Sequence, residues 1–262
     1  KADWPVYYAF MNRQLTELLT EYGPNGAIWF DGWWDHDEDA TPFDWQLDEQ
    51  YRMIHTLQPS CLIGNNHHQT PYAGEDIQIF ERDVPGENTA GLSGQSVSHL
   101  PLETCQTMNG MWGYKVKDQN YKDSATLIRY LVKTAGLGAN LLLNMGPQPS
   151  GDLPAAALDR LKEMGQWLRK YGETIYGTQG GDFPAMEWGT TTRKGDKLYV
   201  HICDTSRREV LLPLSCKVKK AVTFDGRQPV KVTPTPEGSV LTVGTIPDGT
   251  PDYIVELTTS EK

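Results

Sequence analysis

The segment from Gly26 to Trp34, with the sequence Gly-Ala-Ile-Trp-Phe-Asp-Gly-Trp-Trp, constrains the fold more than any other stretch of the chain. The short apolar run 27–30 predicts a buried parallel strand. Asp31 then falls where such a strand ends, which is where parallel α/β barrels carry their reactive groups. Because aromatic faces stack on the apolar face of a sugar ring, a carboxylate beside tryptophans predicts a carbohydrate site.

Composition restricts the partners of the chain. Its 262 residues are 38% hydrophobic and 22% charged, which supports a buried core. The formal net charge of −10 disfavours nucleic acid and anionic membrane surfaces. No apolar stretch approaches the roughly 18 residues that span a bilayer, so no membrane insertion is expected. The cysteines lack zinc-ligand spacing, and Cys61 and Cys105 are predicted to be buried thiols. No metal or other cofactor is expected, and the oligomeric state is left open.

Strands and helices alternate along the first 180 residues, which is typical of a parallel α/β unit. Helices are predicted over 5–22, 45–57, 122–135 and 154–171, and strands over 27–30, 61–63, 77–80, 102–107 and 139–144. A closed (β/α)8 barrel has eight strands, so five predict an incomplete (β/α)8-like barrel. Its N-terminal strands would be absent from this chain, and the missing N-terminal part of the same barrel would be its partner. A smaller open sheet is the alternative.

Helical periodicity disappears after about residue 178. Six short strands of alternating pattern follow, from 197–203 to 253–257, and turn residues such as those at 193–196 join them. This pattern predicts a small antiparallel β-sandwich. We place the domain boundary near 178–184, which gives a barrel domain over 1–180 and a sandwich domain over 181–262.

The carboxylates of the first domain suggest glycosidase chemistry. Retaining glycosidases use two carboxyl groups about 5–5.5 Å apart, one as nucleophile and one as acid/base. Asp31 is the candidate nucleophile, and a helix N-cap is its alternative role. The acid/base candidates are Glu75, Glu81, Glu87 and Glu103. Glu81 comes first because it ends an apolar run, where partial desolvation favours the protonated acid, and Glu75 comes second.

Histidines and tryptophans are the candidate sugar contacts. His67 and His68 follow a strand end, and adjacent side chains point in different directions, so a shared metal is disfavoured and one of them is expected to bind a sugar hydroxyl. Trp34 and Trp112 are predicted to stack on the sugar, with core packing as the alternative.

Four motifs in register resemble the α-L-fucosidases of glycoside hydrolase family 29. They cover residues 22–34, 102–114, 140–147 and 171–178. The resemblance implies an irregular (β/α)8-like barrel, a retaining mechanism and terminal α-L-fucosides as substrates. It assigns the nucleophile to Asp31, the acid/base to Glu81 or Glu103, and the fucose-pocket aromatics to Trp34 and Trp112.

The resemblance also implies a fucosylated oligosaccharide or glycoconjugate as substrate and a periplasmic, secreted or lysosomal location. Many relatives carry an arginine after an Asn-Asp pair where this chain has Asn-Asn-His-His at 65–68. This departure leaves the hydroxyl contacts of that loop open. The competing hypotheses are a non-catalytic carbohydrate-binding protein on a glycosidase scaffold and a retaining glycosidase for another sugar.

Overall fold

The computed structural model describes residues 3–36 and 38–260. The helices are α1 (Trp4–Glu21), α2 (Leu47–Leu57), α3 (Ser124–Gly136) and α4 (Ala155–Tyr171). The strands of the first half are β1 (Ala27–Phe30), β2 (Leu62–Asn65), β3 (Ile77–Glu81), β4 (Leu102–Thr107) and β5 (Ala139–Asn144). Those of the second half are β6 (Gln179–Gly180), β7 (Gly189–Lys194), β8 (Lys197–Ile202), β9 (Glu209–Leu212), β10 (Val218–Thr223), β11 (Lys231–Thr235), β12 (Gly238–Thr242) and β13 (Tyr253–Thr259).

The chain divides into two compact units, one ending at Glu103 and the other beginning at Thr104. In the first unit, β1 pairs with β2 and β2 pairs with β3, both in parallel. The residues that lead into β4 lie beside β3, since the backbone N–H of Gln78 donates to the carbonyl oxygen of Pro101 at 2.9 Å. The parallel strands, with α1 before β1 and α2 between β1 and β2, agree with the predicted α/β unit, whereas β2 and β3 follow one another without a helix between them.

Helix α1 buries a narrower stripe than its sequence predicts. Tyr8, Leu15 and Leu19 are buried, whereas Phe10 and Leu18, both on the expected apolar face, are exposed. Positions 8, 15 and 19 share one helical stripe, of which Leu15 and Leu19 pack with α2 on the sheet.

Strand β1 is also more open than predicted. Only Phe30 of its four residues is buried. The strand lies at the end of the sheet order and has one hydrogen-bonded neighbour, β2, which leaves its other side uncovered in the part of the chain that the structure describes.

The second unit combines helices with antiparallel sheets. Helices α3 and α4 share a buried cluster that includes Val132, Trp167 and Tyr199. A five-stranded sheet has the order β10-β13-β8-β7-β6, and a three-stranded sheet has the order β11-β12-β9. Buried residues of both sheets, among them Val200 and Leu241, form one core, an arrangement that fits the predicted sandwich. The predicted turn near 193–196 joins β7 to β8.

Strand β7 was not predicted because its residues 189–194 are polar except for a glycine. The structure nevertheless buries Thr190, Thr191 and Thr192. The predicted domain boundary near 178–184 lies inside the second unit, where helices give way to antiparallel strands, and it stays a prediction.

Two other sequence features can be followed in the structure. Cys61 and Cys105 are buried free thiols, as predicted. Among the described helices, none combines the length and the apolar character that a membrane crossing requires. The predicted irregular segment 35–44 begins in a 3₁₀ helix over Trp33–His36, and its residue 37 lies outside the described residues.

Candidate active site

Three parallel strands of the first unit each lead to a polar side chain at one edge of the sheet. Asp31 follows β1, Asn66 follows β2, and Glu81 is the last residue of β3. The backbone N–H of Asn66 donates to the carbonyl oxygen of Phe30 at 2.9 Å, which aligns the first two strand ends. Because neighbouring parallel strands end at the same edge, residues that are far apart in sequence meet there.

The chain leaves these strands through residues in the left-handed region of backbone space. The φ angle is +89° at Gly32, which follows Asp31. It is 59° at His68 and 62° at Arg82, which follows Glu81. Glycine adopts such angles freely, but a residue with a Cβ holds them at a cost of about 1–3 kcal/mol. Strain of this kind is concentrated at functional loops.

The side-chain amide of Asn66 connects the two carboxylates. Its Nδ2 donates to Asp31 Oδ1 at 3.2 Å and to Glu81 Oε2 at 2.7 Å. Since both oxygens contact one nitrogen, they cannot be further apart than these two distances placed end to end. That limit admits the carboxyl separation of about 5–5.5 Å that retaining glycosidases use.

The two carboxylates differ in their surroundings. Asp31 is exposed, whereas Glu81 is buried with 9% of its surface accessible. The hydroxyl of Ser93 accepts from the backbone N–H of Glu81 and donates to its carbonyl oxygen, both at 3.1 Å. The exposed Asp31 carboxylate can therefore be reached from outside, and Ser93 fixes the backbone of the residue that carries the buried one.

His68 and Trp34 extend this cluster on the side of Glu81. His68 Nε2 lies 2.9 Å from Glu81 Oε2. The imidazole stacks on the indole of Trp34, with ring centroids 5.1 Å apart and an interplanar angle of 8°. Trp34 keeps 42% of its surface exposed. A partly exposed aromatic ring thus lies one side chain away from the candidate acid, on the far side of His68.

His67 belongs to a separate buried network. Its Nδ1 accepts from the backbone N–H of Gln69 at 3.0 Å, so Nε2 carries the ring proton and donates to Glu75 Oε1, also at 3.0 Å. Tyr51 donates its hydroxyl to Glu75 and accepts from the Asn65 amide, both at 2.9 Å. Burial raises the pKa of the Tyr51 hydroxyl. Both ring nitrogens of His67 are therefore engaged inside the protein.

The remaining glutamates lie in other surroundings. Glu103 Oε1 accepts from the indole N–H of Trp29 at 2.9 Å. Glu87 is partly buried in a turn, where its backbone N–H donates to the carbonyl oxygen of Val84 at 3.0 Å. Of the four acid/base candidates, Glu81 is the one that accepts a hydrogen bond from the same Asn66 amide as Asp31.

A cavity of about 300 Å³ adjoins Asp31, which forms part of its wall. Trp4, Trp33 and Trp45 also line it. The rings of Trp33 and Trp45 pack with their centroids 5.7 Å apart. The structure thus places a carboxylate beside tryptophans. The tryptophan of this loop that lines the cavity is Trp33, and the predicted sugar contact Trp34 stacks on His68 instead.

Trp112 lies in the second unit, where it is partly buried and its carbonyl oxygen accepts from Asn144 Nδ2. Gly146 lies two residues after Asn144, in the motif over 140–147. A Cβ there would overlap the backbone nitrogen of Tyr114, so the close approach of the two segments requires glycine.

Sequence reasoning did not identify Asn66 and Trp33 as site residues. Their one signal was position, because each lies three residues beyond the end of a predicted strand. Among residues 3–36 and 38–260, no three His, Cys, Asp or Glu side chains form a group that could hold a metal ion.

A parallel α/β sheet that carries two carboxylates at its carboxyl edge is an arrangement found in glycoside hydrolases. Comparison with known proteins narrows the class. The family model described as alpha-L-fucosidase matches residues 2–173, and the chain belongs to this family.

Individual relatives agree with this assignment. The alpha-L-fucosidase of Dictyostelium discoideum is 29% identical over 210 residues, which cover 76% of this chain and 42% of that protein. The plasma alpha-L-fucosidase of Rattus norvegicus is 39% identical over 176 residues, covering 63% of this chain and 35% of that protein. The structure of alpha-L-fucosidase isoenzyme 1 from Paenibacillus thiaminolyticus matches with a TM-score of 0.78 and 32% identity, covering 98% of this chain and 63% of that one. The chain therefore spans less than half the length of these two sequence relatives.

Proposed function

We propose that the protein containing this chain releases terminal α-L-fucose from oligosaccharides or glycoconjugates, with retention of anomeric configuration. The observation that carries the proposal is the shared contact of Asp31 and Glu81 with the Asn66 amide. Membership of the alpha-L-fucosidase family supports fucose as the sugar. The rat relative is named as a plasma protein, which supports action outside the cytoplasm.

In the proposed first step, an oxygen of Asp31 attacks the anomeric carbon as the bond to the leaving oxygen breaks. Glu81 donates its proton to that oxygen, and a fucosyl–Asp31 ester forms. In the second step Glu81 takes a proton from water, the water oxygen attacks the anomeric carbon, and Asp31 is released. The exposed Asp31 suits the role that must reach the sugar, and the buried Glu81 suits the acid.

The other parts of the site have supporting roles in this proposal. The cavity beside Asp31 holds the sugar against Trp33, and Trp34 supports His68. We further propose that His68 contacts a sugar hydroxyl or orients Glu81, whereas His67 stabilises the loop from within. The chain would supply strands of a (β/α)8-like barrel, and Trp112 is a further proposed sugar contact.

The test uses the full-length protein and aryl α-L-fucosides with good and poor leaving groups. Asp31→Asn should lower kcat by several orders of magnitude on both substrates. Glu81→Ala should impair the poor leaving group by about 10²–10⁴-fold and the good one much less, with azide restoring turnover of the good one. Glu237→Gln, an exposed glutamate of the second unit, is the control.

Proton NMR of the first product distinguishes retention from inversion, because a retaining enzyme releases the α-anomer first. Near-normal turnover by Asp31→Asn would contradict the proposal. Fucose binding by the parent protein without turnover would instead indicate a carbohydrate-binding protein, and turnover of a different aryl glycoside would indicate another sugar.

A further inference from the structure

We propose that Asn66 is a positioning residue that sets the geometry of both carboxylates, an inference that rests on the proposed function. A side-chain amide nitrogen carries two hydrogens. In Asn66 one is directed at Asp31 Oδ1 and the other at Glu81 Oε2. Both hydrogens are therefore used on the two groups that would carry the reaction.

The carboxylates also fix the orientation of the amide. Rotating the amide by 180° would turn its oxygen toward Asp31 and Glu81. That oxygen would then face two carboxylate oxygens, and none of the three could donate a hydrogen bond. In the observed orientation Asn66 Oδ1 is buried and has no hydrogen-bond partner in the described structure. Leaving a buried acceptor unsatisfied costs about 1–3 kcal/mol. This cost is consistent with an orientation that is determined by the two donor contacts.

Asn66 is itself held rigidly. It is 2% exposed, so solvent does not compete for its hydrogens. Its backbone N–H donates to Phe30, the residue before Asp31. The backbone and the side chain of Asn66 thus both connect the end of β2 to the end of β1, and the side chain extends the connection to β3. Preorganised donors on rigid strand ends are an effective way to hold reacting groups in place.

The contacts also distinguish the oxygens of each carboxylate. Glu81 Oε2 is contacted by both Asn66 Nδ2 and His68 Nε2. Oε1 is then the oxygen positioned to carry the transferred proton. Asp31 Oδ1 accepts from Asn66 and Oδ2 does not, so we assign the attack on the sugar to Oδ2. Asn66 therefore selects which atom of each carboxylate is available.

Two substitutions separate this role from simple space-filling. Asn66→Ala removes the donors and leaves a small void, whereas Asn66→Asp keeps the shape and replaces the donors with acceptors. If Asn66 positions the carboxylates, kcat falls in the order Asn, Ala, Asp, with Asn66→Ala losing about 10- to 100-fold and KM changing little. If Asn66 only fills space, the order of the two variants reverses.

A double-mutant cycle gives a second readout. In a Glu81→Ala background, one of the two partners of Asn66 is gone, so Asn66→Ala should cost several-fold less than in the parent protein. Asn120→Ala, an exposed asparagine of the second unit, is the control and should leave kcat unchanged in both backgrounds. Equal losses in the two backgrounds would overturn the proposal.

A crystal structure of Asn66→Ala tests the inference without reference to activity. We expect the Asp31 and Glu81 carboxylates to move apart or adopt several rotamers, and unchanged positions would overturn the inference. If the parent protein hydrolyses no fucoside and the carboxylates still separate in the variant, the proposed function fails while Asn66 keeps its positioning role. Urea unfolding of each variant shows whether a loss of kcat reflects unfolding.

Discussion

Trp34 lies parallel to His68, with ring centroids 5.1 Å apart, and His68 in turn lies 2.9 Å from Glu81. The tryptophan thus supports the ring that contacts the candidate acid. His68 also has a φ of 59°, so its backbone needs support from the surrounding structure. Stacking on Trp34 supplies part of that support, since paired aromatic rings contribute about 0.5–1.5 kcal/mol beyond the area they bury.

Trp34→Ala should therefore lower kcat, because His68 would lose its stacking partner and orient Glu81 less well. We expect a loss of about 3- to 10-fold, in line with the stacking energy of such a pair. Trp34→Phe retains an aromatic face and should recover most of the activity. Steady-state kinetics on an aryl α-L-fucoside checks this, with Tyr22→Ala, an exposed aromatic at the end of α1, as control. A rise in KM alone would show that Trp34 contacts the sugar instead.

Glu103 provides a test of the acid/base assignment. Its carboxylate accepts from Trp29, and Glu103→Gln retains an oxygen that can accept the same bond. We expect kcat of this variant to stay within about threefold of the parent on a poor leaving group, while Glu81→Gln loses about 10²–10⁴-fold. Measuring kcat of both variants on the same poor leaving group shows which glutamate is the acid/base. A large, leaving-group-dependent loss in Glu103→Gln would transfer the acid/base role to that residue.

Much of the fold could be predicted because apolar runs with clear limits specify strands. Strands β4 and β5 occupy the predicted residues 102–107 and 139–144. Strand β7 could not be found in this way, since its buried residues are threonines and not apolar side chains, and the one with a hydrogen-bonded hydroxyl finds its partner in another segment. Thr192, for example, donates its hydroxyl to the carbonyl oxygen of Thr174 at 2.6 Å. A search for alternating apolar residues cannot detect a strand that is buried through such bonds.

The candidate site could be proposed from the sequence only where a residue follows a predicted strand. Asp31 and Glu81 both follow apolar runs, so the sequence could propose them. Asn66 could not be proposed, because its role depends on two acceptors that lie 35 and 15 residues away in sequence. The sequence also does not show that His67 and His68 have different surroundings. His67 contacts Glu75 and a backbone N–H of Gln69, whereas His68 contacts Glu81.

Tyr51 should contribute to stability through its hydroxyl. Tyr51→Phe leaves the ring in the core but removes the donor to Glu75 and the acceptor for Asn65. Two buried polar groups would each lose a partner, so we expect the free energy of unfolding to fall by about 1–3 kcal/mol. Urea unfolding measures the change, and Tyr22→Phe, which alters an exposed hydroxyl, should have almost no effect. Equal stability of Tyr51→Phe and the parent would contradict the role of this network.

Glu256 should make the second unit sensitive to acid. Arg227 donates to its carboxylate twice, at 2.9 and 2.8 Å, and Lys197 lies 3.5 Å away. The hydrogen bonds from Arg227, with the charge of Lys197, hold the pKa of the Glu256 carboxyl below its usual value. A lowered pKa in the folded state stabilises the protein above the unfolded value of about 4.3, and the stabilisation is lost as the pH falls through the folded value.

Glu256→Gln removes this titration. We expect the parent to be more stable than the variant at pH 7, and the difference in the free energy of unfolding to shrink steadily as the pH falls below about 4.3. Urea unfolding followed by circular dichroism, repeated between neutral pH and pH 3, measures the difference. The exposed Glu237→Gln serves as the matched control and should show no such trend. A difference that stays constant across the whole range would mean that the Arg227 contact does not depend on the charge of Glu256.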